Sequence, residues 1–183
     1  YAQAYTQKAL YAASFFYHEQ AQVLEEAGNI DQAIENYRKA AAGYGDYLTR
    51  YPHDKQLYEL TFSLAECLYY STSFKDAAIA YESVRDAKYD RKYREESALS
   101  VVLSYEKEAL FAVKRGELEP LEVKVSSERS PDAGIEPEEI PSLRRDFIAA
   151  SDSYQEYVPE SDINLPGVLY KAAEVYYGYN HFE

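Results

Sequence analysis

Residues 25–40, EEAGNIDQAIENYRKA, and residues 69–84, YYSTSFKDAAIAYESV, write one helix opening twice. Each places an apolar residue (Ile30, Phe74), two polar ones, a pair of small or apolar ones, then a ring (Tyr37, Tyr81) and a closing Ala40 or Val84. Ile30 and Phe74 stand 44 residues apart (30 to 74). A helix pair written repeatedly, each pair too thin to bury its own faces, is the mark of a stacked helical array.

The flanking sequence extends the pattern. From Ala2 to Ala27 there is no Pro or Gly, and Tyr17, Ala21 and Leu24 recur at helical steps, which predicts a first long helix. Gly28-Asn29 breaks it, because these residues most easily take the left-handed conformation of a helix end. A second helix is expected from Asp31 towards Tyr51, stopped by Pro52, with Gly43 and Gly45 bending or loosening it. Further helices are expected near Lys55–Tyr70, Lys75–Ala87, Tyr93–Lys114, Leu143–Pro159 and Pro166–Tyr179. Between Arg115 and Pro141 the composition turns to Glu, Pro, Ser and Gly, which predicts a long solvated loop inserted within a helix pair. Such a loop suits a docking arm or lid.

Composition narrows the function. The 183 residues suffice for a sizeable core, and the net charge of −13 argues against a nucleic-acid backbone or an anionic membrane as partner. No apolar run approaches the ~18 residues of a membrane span, so no membrane insertion is expected. The chain begins at Tyr1 and contains no Met, so a segment of a longer protein is expected. The single cysteine, Cys67, forms no internal disulfide and lies in the apolar stretch LAECLYY, where it reads as a small buried hydrophobe. Tyrosine occurs 21 times, and its wide ring with a polar tip suits crevices between helices or a surface that grips a partner.

No catalytic frame is present. His18, His53 and His181 are far apart, and HEQAQ at 18–22 lacks the second histidine of a zinc-binding HExxH helix. GYG at 43–45 follows a helix rather than a strand, and the carboxylates of EPEE and REE read as solvated charge. No enzyme activity, cofactor or metal is expected.

The pattern within each pair resembles the tetratricopeptide repeat family. Tyr17, Ala21 and Leu24 match the family's first-helix positions, and Ala33, Tyr37 and Ala40 its second-helix positions. Leu64, Ala65 and Leu68, then Ala77, Tyr81 and Val84, answer in the second repeat, and Leu169, Ala172, Ala173, Tyr176 and Phe182 in the last. Small residues at the crossings let helix backbones approach to roughly 8–10 Å, and a ring fills the gap beside them. The departures are the 44-residue spacing against ~34 in the family, Thr61 in place of a large ring, and Val102 where a small residue is expected.

The resemblance implies an all-α fold, an α-solenoid of antiparallel helix hairpins forming a right-handed superhelix. The expected pairs are 1–52, 53–88 and 91–159, the last interrupted by the 115–141 insertion, with the first helix of a further pair at 165–180. Elongated helices and a "YP" before a new helix are similar to bacterial cell-envelope members, of the outer-membrane assembly lipoprotein and TolA-binding protein type. That similarity favours a periplasmic or envelope setting over the cytoplasm, while the residues themselves leave the compartment open.

It also implies a concave groove lined by first helices. Carried over residue by residue, the groove holds Phe15, His18, Gln22 and Glu25, then Glu59, Phe62, Glu66, Tyr69 and Tyr70. Leu99, Leu103 and Glu106 follow, and then Tyr170, Glu174 and Tyr177. The Lys, Asn and Arg clamp with which chaperone-binding members hold a C-terminal carboxylate is missing; His18, Gln22, Ser63, Glu96 and Ser100 occupy its places. The expected function is a non-catalytic scaffold whose partner is a protein or peptide of basic or apolar character. The competing expectations are a regulatory module of a larger enzyme and a self-association module. On the scaffold reading, removing Phe62, Tyr69 and Tyr70 together abolishes partner capture without lowering helicity.

Overall fold

The computed structural model of the chain describes residues 2–122 and 136–181. The fold is all-helical: among the described residues there are seven α-helices and no strand. They are α1 (Ala2–Glu26), α2 (Ile30–Arg50), α3 (Leu57–Tyr70), α4 (Phe74–Arg85), α5 (Arg94–Lys114), α6 (Ser142–Tyr154) and α7 (Leu165–Gly178). The chain divides into two compact units, residues 1–104 and 105–183, and the boundary falls inside α5.

In the first unit, α1 packs antiparallel to α2 and α3 antiparallel to α4. Gln7 near the start of α1 reaches Tyr47 near the end of α2, while Glu25 at the end of α1 accepts a hydrogen bond from Tyr37 early in α2. The rings of Phe62 and Tyr81, and of Tyr69 and Phe74, meet in the same opposed sense across α3 and α4. One apolar core joins α1, α2 and α3 through Ala21, Ala33, Tyr37, Ala40, Tyr44, Leu60 and Cys67. Alanines at the crossings bring the backbones close and tyrosine rings fill the space around them, as the repeated pattern requires.

Gly43 has a different role from the one its helix suggests. α2 runs unbroken from Ile30 to Arg50. A Cβ built on Gly43 meets the Ser14 hydroxyl on α1, whereas one built on Gly45 meets nothing. Gly43 is therefore a contact point between two helices rather than a loosened turn, and Gly45 carries no such constraint.

The helix ends disclose the period. At Gly28 the chain takes a positive φ, with Gly28 N–H bonded to the Glu25 carbonyl and Asn29 N–H to the Leu24 carbonyl. That paired bonding of the last carbonyls is the Schellman motif. The same two bonds recur at Thr72, at Gly116 and at Asn180, each with positive φ, and close α3, α5 and α7. Gly28, Thr72 and Gly116 are spaced by 44 residues each (28 to 72, 72 to 116). Every odd-numbered helix thus ends in one device, and the apolar residues Ile30, Phe74 and Leu118 follow two positions later.

The same register governs burial. Ala21, Ala65 and Ala109 are all buried. Leu60 and Cys67 are 4 % and 0 % exposed where α3 meets the core shared with α2, while their counterparts 44 positions earlier, Phe16 and Val23 on α1, are 55 % and 59 % exposed.

Thr72 is the costly member of the series. A β-branched residue at φ 67° crowds its own backbone, a cost of about 1–2 kcal/mol that glycine avoids. Part of the gain is offset by the extra freedom glycine gives the unfolded chain. Thr72→Gly is expected to raise stability by about 0.5–1 kcal/mol, seen as a higher urea midpoint with an unchanged slope.

In the second unit, α6 and α7 are antiparallel neighbours, with Arg144 near the start of α6 bonded to Tyr179 just past α7. Residues 123–135 of the expected insertion, and Phe182, lie outside the described residues. The flanks of the insertion are anchored rather than solvated throughout. Leu118 packs with Ala109, Ala112 and Leu143, and Ile140 is buried. The segment at 136–140 is held to the end of α7, through Glu138 N–H to the Tyr179 carbonyl at 2.9 Å and Asn180 Nδ2 to Glu138 Oε1 at 3.0 Å.

Candidate functional site

The expected groove residues separate into three kinds. His18 and Phe62 are core. His18 sits edge-on to the rings of Tyr37 and Tyr44, with Nδ1 3.4 Å from the Tyr44 hydroxyl. Burial lowers its pKa, which favours the neutral ring at neutral pH. Phe62 stacks flat on Tyr93 with ring centroids 4.1 Å apart and is buried. A partner would reach neither, so removing Phe62 strips packing from the fold as well as any contact.

A second set is spread over separate places. In the first unit, Phe15 stacks on Tyr11 at the surface, Gln22 is exposed, and Glu59, Leu99 and Leu103 are half-buried. In the second, Glu106 is held by Lys171 at 2.6 Å, Glu174 and Tyr177 are half-buried, and Tyr170 is exposed.

The third set comes together. Tyr70, at the last turn of α3, is 43 % exposed and stacks on Tyr37 at 5.1 Å, with Tyr69 edge-on beside it at 5.5 Å. Glu25 accepts the Tyr37 hydroxyl at 2.6 Å. Tyr70's hydroxyl is pushed above its ordinary pKa, first by burial and then by the charges of Glu25, Glu66 and Glu96. Three carboxylates from α1, α3 and α5 therefore converge electrostatically on one tyrosine.

Glu66 is the most perturbed of the acids. Burial, and then the neighbouring charge of Glu96, push its carboxyl up to about 7. Burial also raises the Tyr81 hydroxyl, with Glu66 the next cause. Among the described residues, none of Glu25, Glu66 and Glu96 is in an ion pair. The arrangement favours a positive charge presented from outside, since a cation there offsets both the loss of hydration and the repulsion between the carboxylates.

No group of three or more His, Cys, Asp or Glu suited to a metal ion occurs among the described residues. No described helix is long and apolar enough to cross a membrane. Cys67 is buried in the same core, where burial raises its thiol pKa and keeps it protonated.

Glu96 joins this site although it is not among the expected partner-binding residues and enters only as the occupant of a missing clamp place. Its place in the first turn of α5 reads as a helix-dipole acid; Tyr93, in the turn before α5, stacks on Tyr58 and Phe62 of α3 and so brings the start of α5 near Glu66. No family model matches the chain, and searches of curated proteins and of solved structures returned no match.

Proposed function

We propose that the chain is a tetratricopeptide-like helical array, an α-solenoid of hairpins, acting as a non-catalytic scaffold that docks a partner protein. The recurrence of one helix-ending device and one buried alanine every 44 residues supports the array. The observation that carries the docking site is the convergence on the exposed ring of Tyr70 of Glu25, Glu66 and Glu96, none of them in an ion pair among the described residues. A partner side chain with an ammonium or guanidinium head and an apolar stem satisfies both halves: the stem lies on the Tyr70 ring and the head pairs with the acids.

The test uses a fluorescent lysine- and leucine-rich peptide and its glutamate-for-lysine counterpart. The basic peptide is expected to bind, and the acidic one not to. Glu66→Gln with Glu96→Gln and Tyr70→Ala is expected to weaken binding at least about tenfold, the scale of losing a partly buried charge pair with its stacking surface. A control variant, Glu35→Gln with Asp46→Asn and Asp76→Asn, removes more negative charge from exposed helix positions. Equal losses in the two variants would mean that the net charge of −13, rather than this site, attracts the peptide.

A further inference from the structure

Within the second unit, Ala109, Leu110, Val113, Leu121, Phe147 and Val175 wall an apolar cavity of about 360 Å³. That volume is in the ~300–1,000 Å³ range of small-molecule sites. The charged members of its wall are Glu106, Arg144, Lys171 and Glu174. Glu106 and Lys171 satisfy one another at 2.6 Å.

Arg144 is different. It is only 8 % exposed, on the buried face of α6 beside Phe147 and Ile148. Its Nε donates to the Tyr179 hydroxyl at 3.0 Å and one Nη2 hydrogen to the Glu119 carbonyl at 2.8 Å. Both acceptors are neutral, and Nη1 takes part in neither bond. Among the described residues Arg144 has no carboxylate partner. The guanidinium is held by neutral acceptors and lies over the Tyr179 ring at 6.0 Å, so its charge is solvated without being neutralised, and its planar fork matches a carboxylate.

We infer that this cavity binds a small amphipathic monocarboxylate of the fatty-acid class, its head on the unengaged edge of Arg144 and its hydrocarbon chain against the apolar wall. The two bonds to Tyr179 and Glu119 fix the guanidinium in advance, so little side-chain freedom is lost when the anion arrives. Glu174 opposes the anion. Its presence makes the chemistry selective for a single negative charge rather than a polyanion such as a phosphate ester.

The probes are octanoate and octanol, titrated calorimetrically into the whole chain. Octanoate is expected to saturate one site and octanol to bind at least about tenfold more weakly, because only the carboxylate pairs with Arg144. Arg144→Met is expected to bring the two ligands to equal affinity. Val113→Phe, which leaves Arg144 and its bonds in place, fills the cavity and is expected to weaken octanoate by about tenfold or more with helicity unchanged. Glu174→Gln is expected to tighten octanoate by roughly two- to fivefold through loss of the opposing charge. The inference is overturned if octanoate shows no saturable binding, if octanol binds the unaltered chain equally well, or if Val113→Phe leaves octanoate binding intact. Binding of a peptide with a free C-terminal leucine in place of octanoate would also overturn the ligand class.

Discussion

Gly43→Ala is expected to lower stability by about 1–3 kcal/mol, the range for inserting a methyl group into a closed contact, while Gly45→Ala, two residues along the same helix, raises it. The opposite signs follow from what faces each glycine. Gly43 lies against Ser14, whose side chain is 1 % exposed and whose hydroxyl donates to the Leu10 carbonyl at 2.8 Å. A new Cβ must displace that hydroxyl or part α1 from α2, and the alanine-lined core beside it leaves no slack. Gly45 faces open space, so alanine there recovers the helix-interior cost of glycine, about 0.5–1 kcal/mol. Combining Ser14→Gly with Gly43→Ala moves the methyl group to the other helix and is expected to restore most of the loss. Chemical denaturation of the two single variants and the double gives the coupling directly. Additive losses would mean that Gly43 is not a crossing point.

That contact also marks where sequence reasoning stops. The helices were legible because apolar positions recur at helical steps, and Gly28 announced the end of α1 by its chemistry. Ser14 and Gly43 are neighbours in space only, and no local pattern links them. A glycine in a helix is therefore read as weakness when its actual neighbour is a serine side chain on the facing helix.

The groove positions show the same limit at the site. His18 and Phe62 occupy first-helix positions expected to face outward. His18 is covered because α2 is long enough for Tyr44 to lie over it, and Phe62 because Tyr93 enters from the turn before α5. Tyr70 stays at the surface because it sits at the end of α3, beyond the reach of those covering rings. Arg144 could have been suspected from sequence: it shares a helical stripe with Phe147, Ile148, Ser151 and Tyr154, all buried. A lone arginine on such a stripe needs either a counter-charge or fixed neutral acceptors, and its spacing alone does not say which.

Glu66→Gln is expected to stabilise the protein at pH 8 and to make no difference at pH 4. In the folded chain, burial and then Glu96 hold the Glu66 carboxyl at about 7 against an ordinary value of 4.5. A raised carboxyl pKa means that the folded state keeps its proton where the unfolded state has lost it, so stability falls as pH rises through that window. Below about 4.5 both states are protonated and the neutral amide gains nothing over the acid. Between 4.5 and 7 the advantage of glutamine grows, and above 7 it is complete. With the group half-buried and partly screened by solvent, the full difference is expected to be about 1–2 kcal/mol rather than the larger figure the shift alone implies. Urea midpoints at pH 5, 6.5 and 8 measure it. The same proton couples to docking. A lysine that pairs with Glu66 favours the ionised carboxylate, so the basic peptide must release a proton on binding at pH 6 and none at pH 8. Its affinity for the unaltered chain is expected to rise across that interval, and to stay flat for Glu66→Gln. If the variant and the parent chain run parallel in both stability and affinity from pH 5 to 8, Glu66 is an ordinary surface acid and the docking site lies elsewhere.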